Sequence, residues 1–206
     1  MPVDPDVFTV VLTRTPADNA MLGDALHGHF KETWGVDLRC IGFATSRVQT
    51  LADVDRGELN DQVTAADALA FTSRHGVRAA LELLGAGRLL DAHMRGMLIA
   101  CVGPRSAAEL AAAGVTVDVV ADPSTAQALG DALVARLSAG ATVLVMCGDQ
   151  ARPELSATLL AGGISALQSV VYSNEDALEA TRASASALVL TGPQLPSPQP
   201  ATLAKL

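Results

Sequence analysis

The stretch Ala68–Leu84, ALAFTSRHGVRAALELL, decides the fold. Ala68 to Phe71 form a short apolar run that reads as a buried strand. Thr72, Ser73, Arg74, His75 and Gly76 make an abrupt polar corner. Val77, Ala80, Leu81 and Leu84 then recur at the i, i+3, i+4, i+7 spacing of one helical face. A strand that feeds directly into a helix aims the helix's free N–H groups beyond the strand end, where an anion can be held.

The rest of the chain repeats this unit. Phe8–Leu12 is a β-branched strand, Thr15 caps a helix with Pro16 at its first position, and Gly35 stops it. Val36–Phe43 is extended. Residues 44–64 read as an irregular crossing segment with room for a short helix, and Gly85–Arg95 as a helical continuation or loop. Met97–Val102 is a strand ending at the corner Gly103–Ser106, and an Ala-rich helix runs on to Gly114. Val115–Val120 reads as a strand. Ser124 opens a helix with Gln127 at capping-box spacing. Thr142–Met146 is a strand ending at Cys147-Gly148-Asp149, and Pro153 starts a helix. Ala166–Tyr172 is a strand, Asn174–Ser184 a helix and Ala187–Leu190 a further strand. Ala68–Thr72 and Ala187–Thr191 echo one another, which suggests two related halves. The strands are continuously apolar and alternate with helices, so the class is α/β with parallel sheets flanked by helices.

Composition narrows the partners. The chain has 206 residues, enough for one large or two small domains, and half of it is hydrophobic. Aromatics are 3 % and the net charge is −8, with lysine only at Lys31 and Lys205. Nucleic acid and anionic membrane surfaces are therefore unsuitable partners. No apolar run is long enough to span a bilayer. The N-terminus lacks the features of a signal peptide. The odd, scattered cysteines Cys40, Cys101 and Cys147 fit a reducing, cytoplasmic setting.

Four strand ends carry polar or glycine corners: Thr13-Arg14, Thr72-Ser73, Gly103–Ser106 and Cys147–Arg152. Each alone reads as a helix cap. Together on one sheet edge they read as an anion site, because ligands of open parallel sheets sit outside the carboxyl ends of the strands. Phosphate-loop and dinucleotide fingerprints are absent. His27 and His29 diverge on their helix, so a metal pair is not expected. His75 is either an exposed corner residue or a proton carrier. Cys147 with His75 as base would support acyl transfer, but a buried structural cysteine is the more natural reading. Tyr172, the single tyrosine, is either a half-buried strand residue or a hydroxyl donor at the ligand edge.

The order of these motifs resembles a known family. ALAFTSRHGVRAALELL resembles the Thr-Ser strand–helix motif of the uroporphyrinogen-III synthases. IACVGPRSAAELAAAGV (Ile99–Val115) is similar to their second motif and DPSTAQALGDAL (Asp122–Leu133) to their third. VLVMCGDQARPELSATLLAGGISALQSVVY (Val143–Tyr172) resembles their most distinctive block, and VVLTR (Val10–Arg14) fits the N-terminal one.

The resemblance implies two small α/β domains joined by two extended connectors. One, 42–168, is inserted into a discontinuous domain made of 1–41 and 169–206. Few residues follow Tyr172, so the resemblance implies a C-terminally shortened member with an incomplete first domain. It implies cyclisation of the linear tetrapyrrole hydroxymethylbilane with loss of water and inversion of ring D, as a step of haem and related tetrapyrrole synthesis. No metal and no organic cofactor are required, and the protein would act in the cytoplasm as a monomer. Tyr172 would help the hydroxyl leave. The substrate's carboxylates would meet Thr13, Arg14, Thr72, Ser73, Arg74, His75, Gly103, Ser106, Ser124, Thr125, Gly148 and Arg152. His75 stands where the family often has Asn or another small residue. The alternative of another class is an inactive or regulatory tetrapyrrole-binding relative with the same fold.

Overall fold

A computed structural model describes residues 8–13, 16–43 and 46–176. Expectations for Arg14, Thr15 and Ala187–Thr191 lie outside these residues, as does all but the start of Asn174–Ser184. The chain divides into two compact units, with boundaries at Arg47/Val48 and Asn174/Glu175. Each follows the α/β plan.

The first unit holds strand β1 (Phe8–Leu12), helix α1 (Pro16–Trp34) and strand β2 (Leu38–Gly42). β1 and β2 pair in parallel, with Phe8 opposite Leu38 and Leu12 opposite Gly42. Gly23 lets α1 approach closely, since a Cβ there would lie 3.3 Å from Cβ of Cys40. His27 of the same helix is tied through Nδ1 to the carbonyl of Leu38 at 3.0 Å.

The second unit is organised around a six-stranded sheet. Its strands are β3 (Ser46–Thr50), β4 (Ala68–Phe71), β5 (Leu98–Cys101), β6 (Val119–Val120), β7 (Thr142–Gly148) and β8 (Ser165–Asp176), in the spatial order β3-β8-β7-β4-β5-β6. β4 pairs in parallel with β5 on one side and β7 on the other. From β4 the chain first builds β5 and β6 outward, then returns to lay β7 and β8 on the opposite flank. The reversal point is therefore between β4 and β7.

Helices cover both faces. Leu69, Phe71, Leu144 and Met146 pack with α2 (Arg56–Ala65), α3 (Arg74–Leu84), α4 (Ala86–Met94) and α5 (Pro104–Ala112). Ala68, Ala70, Val143, Val145 and Cys147 pack with α6 (Ala126–Val134) and α7 (Glu154–Ala161). Alternate residues of β4 and β7 thus enter opposite cores. This explains why the strands read as unbroken apolar runs.

Several local expectations change. The segment from 46 holds the short helix it had room for, α2, but it also forms strand β3 and is part of the core rather than a mere crossing. The Asp55 carboxylate caps α2 by accepting the N–H groups of Gly57 (2.8 Å) and Glu58 (3.1 Å), and Leu59 and Val63, four apart, enter the core. Residues 86–94 form a separate helix, because Gly85 adopts φ +77° and ends α3. Of Val115–Val120 only the last two residues are strand. The Asp118 carboxylate there accepts the Ile99 N–H at 2.7 Å. The cap of α6 is Thr125, not Ser124, with Thr125 Oγ1 accepting the Ala128 N–H at 3.1 Å. β8 continues through Asn174 to Asp176, where the start of a helix is expected from sequence.

Candidate active site

The reversal point places the carboxyl ends of β4 and β7 side by side, the position where open parallel sheets bind ligands. Ser73 leaves β4 in an extended conformation (φ −152°, ψ 157°) and caps α3, its Oγ accepting the Gly76 N–H at 3.1 Å. Gly76 seats the helix start on β7. A Cβ there would come 2.9 Å from the Met146 carbonyl oxygen. No larger residue allows that approach without moving backbone.

Tyr172 reaches the same place from β8. Along the β7–β8 ladder Cys147 lies opposite Val170 but Gly148 lies opposite Tyr172, so Val171 is the extra residue of a bulge. The bulge puts two consecutive residues on one side: Val171 is buried in the core beneath α3, and Tyr172 packs against the same core. The ring crosses Gly148, where a Cβ would meet its Cε2 at 2.5 Å. Two hydrogen bonds secure the corner. Asp149 N–H donates to the Tyr172 carbonyl (3.1 Å), and Asn174 N–H donates to the Asp149 carboxylate (3.1 Å).

Held this way, the phenol oxygen of Tyr172 lies 3.0 Å from Ser73 Oγ. The His75 ring, on the first turn of α3, is tilted 52° to the phenol with centroids 6.0 Å apart. Ser73, His75, Gly148 and Tyr172 thus form one cluster, although the chain separates Ser73 from Tyr172 by 99 positions.

The remaining expected residues of this unit line the same sheet edge. Thr72 and Arg74 flank Ser73. Gly103 is the N-cap of α5 and Ser106, buried, lies in its first turn. Ser124 sits against Gly103, its Oγ 3.1 Å from where a Cβ on that glycine would be. Thr125 opens α6. Arg152 is exposed, just ahead of α7. Thr13 belongs to the first unit and follows β1. The sequence reading did not single out Gly76 as a packing contact or Asp149 as the corner's fastener. Only the strand-end glycine and aspartate hint at them.

Cys147 is not part of the cluster. It faces the opposite core, is 1 % exposed, and its thiol contacts the Ser169 carbonyl at 3.6 Å. Burial pushes that thiol above its usual range, which disfavours the thiolate. The pairing with His75 as base is thereby removed. Two cavities among the described residues lie elsewhere. One of about 450 Å3 is lined by Asn19, His27 and Cys40. Another of about 440 Å3, at the amino end of the sheet, is lined by Asp67, Arg95 and Arg136.

The sequence profile of a family described as uroporphyrinogen-III synthase HemD matches residues 36–195. The chain belongs to this family. The uroporphyrinogen-III synthase fold is also found by structural comparison. A mutant uroporphyrinogen III synthase of the extremely thermophilic bacterium Thermus thermophilus superposes with TM-score 0.52 at 21 % identity, over 84 % of this chain and 64 % of that one. The wild-type protein of that bacterium gives 0.49 at 18 % identity, over 82 % and 63 %. A uroporphyrinogen-III synthetase of Helicobacter pylori gives 0.46 at 20 % identity, over 68 % and 56 %. The chain thus spans just under two thirds of the Thermus protein. A search of curated protein sequences returns no significant match.

Proposed function

We propose that this member of the uroporphyrinogen-III synthase family cyclises hydroxymethylbilane to uroporphyrinogen III, a lyase step of tetrapyrrole synthesis. The observation that carries the reading is the Tyr172 phenol held at the reversal point of the sheet against Ser73 and Gly148.

The chemistry follows from the residues. The phenol gives its proton to the departing ring A hydroxyl, the C–O bond breaks, and water leaves. The resulting azafulvene cation is stabilised by its pyrrole nitrogen, so a weak acid suffices. The ring D carbon that already carries the bridge to ring C attacks that cation and becomes a spiro centre. The old bridge bond breaks and re-forms at the other α-carbon of ring D, which inverts the ring, and the proton lost from that carbon returns to the phenolate oxygen. Enclosure favours closure with inversion of ring D over the spontaneous, uninverted product, largely by positioning.

The substrate is a polyanion and the chain carries a net charge of −8. Local geometry therefore has to overcome the overall field. N–H groups at the starts of α3, α5 and α6 do so, with Thr72, Ser73, Arg74, His75, Gly103, Ser106, Ser124, Thr125, Gly148 and Arg152 around them. Thr13 and Arg14 belong to the same proposal. So does the family's division into an inserted and a discontinuous domain, expected at 42–168 and at 1–41 with 169–206; the compact units part at Arg47/Val48 and Asn174/Glu175, which keeps Ser73 and Tyr172 in one unit. Among the described residues no helix is long and apolar enough to cross a membrane. The family resemblance, by itself, further implies a protein that acts in the cytoplasm as a monomer.

The test is conversion of freshly generated hydroxymethylbilane. Uroporphyrinogen III as product supports the reading, and Tyr172→Phe should then lower kcat about 100-fold, the low end for a positioned proton donor. Formation of uroporphyrinogen I alone would overturn it in favour of a non-catalytic tetrapyrrole-binding relative.

A further inference from the structure

We propose that Ser73 is the positioning residue for the Tyr172 hydroxyl, its side-chain Oγ acting through the phenol oxygen. The inference rests on the reading of Tyr172 as proton donor and adds a partner that sets its direction.

Ser73 cannot drift. It is the N-cap of α3, and its Oγ accepts the Gly76 N–H at 3.1 Å. That bond occupies one lone pair and leaves the serine hydrogen free to donate. The Tyr172 oxygen lies 3.0 Å away. The ring cannot drift either, because it fills the space over Gly148 and hangs from a bulge that fixes its face. Two rigidly mounted hydroxyls at this distance share one hydrogen bond.

The direction of that bond matters. If the phenol donated to Ser73, its proton would be engaged and the oxygen left on transfer would have no donor. With Ser73 donating, the phenol hydrogen points away from the serine and is free to leave. The serine O–H then holds the charge that develops on the phenol oxygen. A donor aimed in advance at a developing charge acts without reorganisation. The helix cap selects this direction: the Gly76 N–H already donates to Ser73 Oγ and makes it the poorer second acceptor. The proton balance is unchanged. Tyr172 loses one proton to the departing hydroxyl and regains one on ring closure, and Ser73 only donates.

The experiment is a double-mutant cycle with a spectroscopic arm. Ser73→Ala should lower kcat for uroporphyrinogen III about tenfold, the value of one charge-assisted bond, with KM within about twofold. Ser73→Thr should restore most of the rate. In the Tyr172→Phe background Ser73→Ala should have no further effect. Equal losses in both backgrounds would overturn the proposal, because Ser73 would then act without the phenol oxygen. A Tyr172→Phe enzyme at full rate would instead remove the proton-donor reading.

Ser73→Ala also loses a helix cap, so Ser73→Asp is the control. Its carboxylate can still accept from Gly76 but carries no hydrogen to donate. It should melt like the parent and lose kcat like the alanine variant, and an unchanged kcat would overturn the proposal. Tyr172 is the only tyrosine of the chain. Its ultraviolet resonance Raman doublet therefore reports directly whether the phenol oxygen accepts a hydrogen bond, with or without turnover. Ser73→Ala should change the doublet to that of a phenol oxygen that accepts no bond, and an unchanged doublet would overturn the positioning role.

Discussion

Gly148 and Tyr172 occupy one space: a Cβ on the glycine would lie 2.5 Å from Cε2 and 2.6 Å from Cζ of the phenol ring. The two residues face each other across β7 and β8 only because of the bulge after Cys147. Gly148→Ala should therefore drive the ring off its seat. The expected cost is about 1–3 kcal/mol of stability, as for other over-packed sites. The activity should fall to that of Tyr172→Phe. Urea melts and turnover measured side by side would check this, and a fully active alanine variant would show that the ring's seat is unimportant.

The contact of Gly76 with β7 is equally tight but is made to backbone. A methyl group would meet the Met146 carbonyl oxygen at 2.9 Å, and a carbonyl cannot rotate away. Gly76→Ala should shift the start of α3, cost about 1–3 kcal/mol and carry Ser73 away from Tyr172. Gly87→Ala is the matched control in a neighbouring helix. Nothing lies within 4 Å of the added methyl there, so that variant should be neutral or stabilising by up to about 1 kcal/mol.

The cap of α6 offers a direct comparison of adjacent hydroxyls. Thr125 Oγ1 accepts the Ala128 N–H. Thr125→Ala should lower stability by about 1 kcal/mol. Ser124→Ala, which removes no cap, should stay within about 0.5 kcal/mol of the parent. Equilibrium denaturation of the two variants would distinguish them, and a reversed order would restore Ser124 as the cap.

Alkaline pH should destabilise the fold through its buried thiols. Burial pushes Cys101 up to about 12 from an ordinary value of 9.0. The folded chain thus holds this proton more tightly than the unfolded chain does. That contribution is complete below about pH 9 and is lost as pH rises towards about 12. The urea midpoint should fall over this range, and Cys101→Val should fall less steeply. Alkylation of the folded protein at pH 8 should favour Cys40, which is half-buried, over Cys101 and Cys147.

The alternation of apolar runs with amphipathic helices determined the α/β class, because strands buried on both faces leave that pattern whatever their order. The polar corners at Thr72-Ser73, Gly103–Ser106 and Cys147–Arg152 were legible for the same reason: a strand-to-helix turn needs hydroxyls, glycine or aspartate. The sequence also held the order of motifs that marks the family. It allowed a short helix before Ala66 but could not show β3 or make α2 a core element, since Leu59 and Val63 are too few to make a visible face without the core they enter. Nor could it choose between Ser124 and Thr125, two neighbours with the same capping chemistry. The site itself was decided by tertiary structure. Ser73 and Tyr172 meet because β7 crosses back beside β4, a bulge turns the phenol toward α3, and Gly148 leaves room for the ring. Local sequence carries the propensity of each segment, but strand order and register come from long-range pairing, and those bring the two hydroxyls together.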